Sequence, residues 1–176
     1  MFNYAVKYYD LRDNPCTKAR SMGKSNAEEM QFWTKAEFEQ FITAVQDKPA
    51  SYTAFMTMYY TGMRVGELCA LTPEDVNLEN NTITINKTFQ RINGRDVVWP
   101  PKTQKSNRVI TIPQTLADCL KNYMDKCYEI QPNDRLFPYT KSFLNHEMLR
   151  GCKKSGVKKI RVHDLRHSHA SLLIEM

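Results

Sequence analysis

Two short segments carry side chains able to act on a phosphate ester. The first is His163-Asp164-Leu165-Arg166-His167-Ser168-His169. On a helix, His163, Arg166 and His167 fall on one face, and Leu165, Ser168 and Leu172 on the other. The apolar stripe then faces a core, and an imidazole and a guanidinium are held together opposite it. Histidine exchanges protons near neutral pH, and arginine offers a planar fork of donors that matches phosphate. His169 lies towards the apolar side and reads as a packed core histidine. The second segment is Thr61-Gly62-Met63-Arg64-Val65-Gly66-Glu67-Leu68. Arg64 and Glu67 are three apart, so on a helix they share a face and can pair. A guanidinium oriented by its own carboxylate is a stiff fork for phosphate. The same spacing also describes an exposed intrahelical salt bridge, and the pair alone leaves both readings open.

A metal reading competes for the first segment. His163 and His167 have the i, i+4 spacing of a zinc-protease helix, with Asp164 where that motif has Glu. Arg166 argues against it, because a fixed cation one turn from both ligands opposes a divalent ion. No third ligand is signalled. The expectation is no metal and no cofactor.

The bulk composition narrows the classes. A chain of 176 residues suits one domain with an appendage. A domain of this size buries roughly 70% of its unfolded surface and needs no disulfide or metal to fold. Hydrophobic residues make up 41% and charged residues 25%, an ordinary globular balance. The apolar runs are too short to span a bilayer, and Met1-Phe2-Asn3-Tyr4 does not read as a secretory signal. The five cysteines are widely spread with no CxxC pair, which reads as reduced thiols in a cytoplasmic protein. The net charge of +6 is uneven: residues 102–169 hold 14 Lys/Arg against 6 Asp/Glu, and the remainder holds 11 against 13. A basic half beside a near-neutral one suggests a polyanion surface, although a solvated charged face has the same composition.

The elements that must position these residues can be read from the pattern. Phe2, Tyr4, Val6, Tyr8 and Tyr9 fit the end of a helix that Asp13-Asn14-Pro15 breaks. Cys16 to Met30 is polar and basic, and reads as a linker. Thr34-Lys35-Ala36-Glu37 is a capping box, with Trp33 and Phe38 at the positions of a hydrophobic staple. Phe38, Phe41, Ile42 and Val45 continue at helical spacing up to Pro49. Helices follow over Ser51–Tyr60 and Met63–Ala70, with Gly62 between them. Thr72-Pro73 caps another helical start. Ile83 and Ile85 alternate with polar residues as a strand. Asn93-Gly94 is a hairpin turn, Val97–Trp99 a return strand and Arg108–Ile112 a third strand. Leu116, Leu120, Tyr123, Met124 and Cys127 form one helical stripe. A helix over Ser142–Lys154 stops at Gly156, and the last one holds His163–Leu173. The expected fold class is α+β, mainly α-helical, with a small antiparallel three-stranded sheet.

In this order the parts resemble the tyrosine recombinases of the phage-integrase family. The parts are the TGMRVGEL helix, a β-hairpin leading to Pro101-Lys102-Thr103 with Ser106-Asn107-Arg108 after it, and HDLRHSHAS. The resemblance covers about residues 31–176. It implies that this stretch is the catalytic domain, and that residues 1–30 are the end of a core-binding-domain helix plus an interdomain linker. It implies that Arg64 and Arg166 grip the scissile phosphate and that His163 lies beside it. Lys102 would help to protonate the leaving 5′ oxygen, with Lys105 as the alternative lysine. Glu67 and His167 would support the site. The implied partners are double-stranded DNA and further protomers, a tetramer in the synaptic complex, with no membrane, in a bacterial cytoplasm. The implied function is site-specific recombination of a mobile element through a 3′-phosphotyrosine intermediate. The alternative is a DNA-binding module without catalysis.

One part of the family's pattern is missing. A second His or Trp and the nucleophilic tyrosine follow further downstream in the family, and this chain stops at Met176. Tyr59 and Tyr60 precede Arg64 on a helix and read as core. The expectation is a chain truncated before its nucleophile and inactive by itself.

Overall fold

The helix and turn signals of the sequence become helices and short strands in the computed structural model, which describes residues 1–18, 31–100 and 106–175. Thr34 and Glu37 form the expected box at the start of α3 (Lys35–Ala44): Glu37 accepts from the Thr34 N–H at 2.8 Å, and the Thr34 hydroxyl from the Glu37 N–H at 3.3 Å. Both staple residues enter the core with other aromatic partners. Trp33 lies against Phe41 with ring centroids 4.5 Å apart, and Phe38 stacks on Tyr59 at 3.6 Å.

The centre of the core is α4 (Pro49–Thr61), opened by Pro49 and closed by Gly62. It is buried almost all round, including Phe55, Met58 and Tyr59. Two of its threonine hydroxyls are satisfied from within: Thr57 donates to the Thr53 carbonyl and Thr61 to the Thr57 carbonyl. The short α5 (Val65–Ala70) follows after the Gly62 turn. Thr72-Pro73 then opens a single 3₁₀ turn, Pro73–Asp75.

The β region differs from the expectation in its pairing. Strands β1 (Val76–Asn77), β2 (Thr82–Ile85) and β5 (Arg108–Thr111) form an antiparallel three-stranded sheet in the order β1-β2-β5. Strands β3 (Thr88–Ile92) and β4 (Arg95–Trp99) pair only with each other. Occupancy excludes the hairpin from β2: β1 and β5 take both of its edges. Its turn is as expected, with Asn93 and Gly94 at φ 50° and 78°. The hairpin packs on α5 instead. Gly66 allows this, because a Cβ there would lie 2.5 Å from Thr88 Oγ1 and 3.0 Å from the Phe89 carbonyl oxygen.

Three helices complete the domain: α6 (Gln114–Met124), α7 (Lys141–Ser155) and α8 (Leu165–Glu175). The α6 stripe buries Leu116, Ala117 and Leu120, and Cys127 lies beyond its end. Gly156 ends α7 at φ 77° as a left-handed cap. Glu147 of α7 is buried and ties α7 to α4 and its entry, accepting from Ser51 Oγ at 2.8 Å and Lys48 Nζ at 2.7 Å. On α8, Leu165, Ser168 and Leu172 face the core. The Ser168 hydroxyl accepts from the Trp33 N–H at 2.9 Å, joining the two ends of the domain.

At the N-terminus, α1 (Phe2–Tyr8) has no buried residue. Pro15 opens a single helical turn, α2 (Pro15–Lys18), where the sequence suggested only a break. The rest of the expected linker, 19–30, lies outside the described residues. Among the described residues no helix is long and apolar enough to cross a membrane. The five cysteines are free thiols.

Candidate functional site

The site is built on the turn between α4 and α5. Gly62 closes α4 in the left-handed conformation at φ 59°. A Cβ at this position would lie 2.5 Å from Cδ2 of His169 on α8, so the glycine lets α8 close on the turn. His169 also places Nδ1 2.8 Å from the Tyr59 carbonyl oxygen. Burial lowers its pKa below the usual imidazole value, the Tyr59 carbonyl opposes this, and the nearby Arg166 charge adds to it.

Arg166 stands on the same helix. Its Nη1 donates to the Gly62 carbonyl oxygen at 2.9 Å, across 104 positions of sequence. Arg64 is two residues further along that turn. It was expected on a helix face, but its backbone is extended (φ −75°, ψ 153°) and it is the N-cap of α5. The reason is Glu67, whose carboxylate accepts from the Arg64 backbone N–H at 2.8 Å and so caps the helix. The same carboxylate accepts from Arg64 Nη1 at 2.9 Å. The structure therefore brings both arginines to one turn: Arg64 rises from it, and Arg166 is held by its carbonyl.

Glu67 is 7% exposed. Burial raises its pKa, but hydrogen bonds from Arg108, from the Arg64 N–H and from the Arg64 side chain outweigh burial and hold the carboxyl below its ordinary value. Arg108 was not singled out by the sequence reading beyond its place in the motif order. It is the first residue of β5 and grips both Glu67 oxygens, Nη2 at 2.7 Å and Nη1 at 3.1 Å. No local spacing signals this, because the partners are 41 positions apart.

His163 does not share α8 with Arg166. It lies exposed on a 3₁₀ turn, Val162–Asp164, that leads into the helix. The turn is fixed by the buried Asp164, which accepts from the Arg161 N–H at 3.2 Å and from its guanidinium at 2.9 Å. Burial raises the Asp164 pKa, but Arg161 and the charge of His167 outweigh it and lower it. This carboxylate is thus committed to Arg161. The His163 and His167 rings are perpendicular, with centroids 6.4 Å apart. Among the described residues, no group of three or more His, Cys, Asp or Glu gathers as a metal site would require.

Lys102 and Lys105 lie outside the described residues. The elements on either side of them are well anchored. Arg135 donates to Asp96 of β4 at 3.0 Å and to the Cys69 carbonyl of α5 at 3.2 Å, and its guanidinium lies 4.0 Å from the Phe89 ring centroid. Lys87 pairs with Asp75 at 2.7 Å where the chain passes from β2 to β3. The sequence reading named neither clamp.

Two guanidiniums at one turn can bind an oxyanion. The chain as a whole resembles known proteins. Residues 31–176 match the sequence profile of the "Phage integrase family". The chain is 30% identical to the ICEBs1 integrase of Bacillus subtilis over 99% of its own length and 51% of that protein's. It is 33% identical to the integrase of Staphylococcus phage L54a over 98% and 59% of the two lengths. It thus spans about half the length of the curated relatives it matches. Among solved structures, the Tn1549 transposon integrase in complex with circular intermediate DNA has the same fold, with a TM-score of 0.80 at 21% identity over 99% of this chain and 64% of that one.

Proposed function

From a chain that belongs to the phage integrase family of tyrosine recombinases, we propose that the whole protein is a site-specific recombinase that moves a mobile element by cutting and rejoining duplex DNA. The observation that carries this reading is the bond from Arg166 to the Gly62 carbonyl, which gathers Arg64 and Arg166 at one turn. In this reading the two guanidiniums neutralise the non-bridging oxygens of the scissile phosphate without a metal. Preorganised donors of this kind each contribute on the order of 10²–10³ in rate. His163 lies beside the phosphate, His167 supports it, and Glu67 aligns Arg64. Lys102, or Lys105 in its place, gives the proton to the leaving 5′ oxygen. The tyrosine that forms the 3′-phosphotyrosine bond belongs to a part of the protein other than these 176 residues. That bond conserves the energy of the phosphodiester, so religation needs no ATP.

Three of the nine tyrosines fit the last point. Burial raises the phenol pKa of Tyr52, Tyr60 and Tyr123, the wrong direction for a nucleophile. In this reading residues 31–176 are the catalytic domain, and residues 1–30 bring the end of a core-binding-domain helix and a linker. Protomers assemble on duplex DNA as a tetramer for strand exchange, in the cytoplasm of a bacterial host. The structural relative bound to circular intermediate DNA supports a DNA partner.

The experiment is adduct formation. The 176-residue chain is expected to bind duplex DNA with steep salt dependence and to form no covalent protein–DNA adduct. Each neutralised phosphate contributes about 0.9 to the slope of log affinity against log salt. The protein extended by its downstream segment is expected to form the adduct on its target site, and Arg166→Ala to abolish it. An extended protein that binds DNA but never forms an adduct is a DNA-binding module without catalysis. An adduct formed by the 176-residue chain alone overturns the placing of the nucleophile.

A further inference from the structure

We propose that Arg108 is a positioning residue: it neutralises Glu67, so that Arg64, aligned by that same carboxylate, keeps a net positive charge for a DNA phosphate. The inference rests on the DNA reading above and adds to it a role that the motif order does not assign.

The geometry divides the labour between two arginines. Arg108 lays its fork across both Glu67 oxygens, Nη2 to Oε2 at 2.7 Å and Nη1 to Oε1 at 3.1 Å. Arg64 reaches Oε1 with Nη1 alone at 2.9 Å. Among the described residues Glu67 is the only side chain that pairs with the Arg64 guanidinium. The Arg64 side chain is 55% exposed and that of Arg108 28%. Arg64 therefore faces outwards with most of its five donors free of Glu67, and Arg108 faces inwards.

Charge gives the arrangement its purpose. Arg64 with Glu67 alone is a neutral pair, and although Oε2 still accepts the Arg64 N–H, the side of the carboxylate that Arg108 fills would be open to draw the Arg64 fork inwards. Arg108 occupies that bidentate seat and leaves the cluster one unit positive. Glu67 is then rigid enough to aim Arg64 and no longer cancels it. Arg108 Nη1 also donates to the Ser106 carbonyl at 3.3 Å, so the same side chain fixes the chain just after the segment that carries Lys102. A tie between β5 and α5 with no electrostatic role would have the same contacts, so the test must separate charge from packing.

Duplex affinity of the 176-residue chain is measured against salt for four proteins: the unaltered chain, Arg108→Met, Arg108→Met with Glu67→Gln, and Arg108→Met with Glu79→Gln. Glu79 is an exposed carboxylate between β1 and β2, so the two double variants have equal net charge. Arg108→Met is expected to make the salt slope shallower by about 0.9, the share of one phosphate contact, although Arg108 itself touches no phosphate. Glu67→Gln is expected to restore the slope, and Glu79→Gln to leave it shallow. An unchanged slope in Arg108→Met, no recovery with Glu67→Gln, or equal recovery with Glu79→Gln overturns the proposal. If Arg108→Met does not fold, the unaltered chain decides by carbon NMR of the Glu67 carboxyl: titration below the ordinary glutamate range is expected, and titration within it overturns the proposal. An unaltered chain that binds no duplex at all removes the DNA reading, a different failure from the others.

Discussion

Single side chains hold this domain together where a backbone group would otherwise be stranded. The Trp33 N–H is buried, and the Ser168 hydroxyl is its partner at 2.9 Å. Ser168→Ala leaves that donor unsatisfied and is expected to cost about 1–3 kcal/mol. Urea unfolding of the two proteins measures it, and a difference below about 0.5 kcal/mol, the level of an ordinary surface change, contradicts it. The loss belongs to stability and not to DNA contact, because Ser168 faces the core and Arg166 and His167 do not. This residue-scale division was legible in the sequence as the two faces of the HDLRHSH segment. The partner of Ser168 was not, since 135 positions separate it from Trp33.

Elements meet at glycines. Gly62 ends α4 at a positive φ and takes the His169 ring of α8 against its Cα. A side chain there pays twice. Gly62→Ala is expected to lose roughly 1–2 kcal/mol from the left-handed backbone alone, and more from a Cβ 2.5 Å from His169 Cδ2. For a chain of this size each kcal/mol lowers the melting temperature by about 2–4 °C. The Gly62 carbonyl also holds Arg166, so duplex binding is expected to weaken together with melting. A Gly62→Ala protein that melts with the parent shows that α8 does not close on this turn. Gly66 works in the same way for the hairpin on α5. The sequence showed both glycines inside a motif. It did not show which helix or strand approached each one.

The whole molecule carries its titration in two windows. His169 is held below its ordinary pKa of 6.5, first by burial. A histidine depressed in the folded state binds fewer protons folded than unfolded, so its contribution is full above 6.5 and is lost as pH falls from there towards the folded value. Glu67, Glu147 and Asp164 are lowered despite burial, Glu67 by Arg108 and Arg64, Glu147 by Lys48, Arg150 and Ser51, and Asp164 by Arg161 and the charge of His167. Their contribution is full above their ordinary values of 4.5, 4.5 and 3.8, and is lost as pH falls further through the folded values. Melting temperature against pH is therefore expected to fall in two steps on acidification. His169→Gln is expected to remove the upper step and keep the lower one. A profile of the variant that runs parallel to the parent between pH 7 and pH 5 refutes the assignment.

The sequence by itself determined the elements and the motifs. The Thr34 box, the Asn93-Gly94 turn, the Gly156 stop and the apolar stripes of α3, α6 and α8 are all set by residues within a few positions of one another. Local sterics and hydrogen bonding act over that range, so they are readable in one dimension. The fold class and the family followed from the order of those parts. Helix starts were less legible: Arg64 lies just before its helix because Glu67 turns back to cap it, and His163 lies in a 3₁₀ turn that Asp164 caps by accepting from the Arg161 N–H. Tertiary structure alone decided the pairings. It gave β2 to β1 and β5 and left the hairpin to itself, and it gave Glu67 to Arg108 as well as to Arg64. The reason is that charge and edge strands have no address in sequence. With 25 Lys and Arg and 19 Asp and Glu in the chain, a carboxylate can pair with any cation the fold brings near, and only the fold selects the one that does.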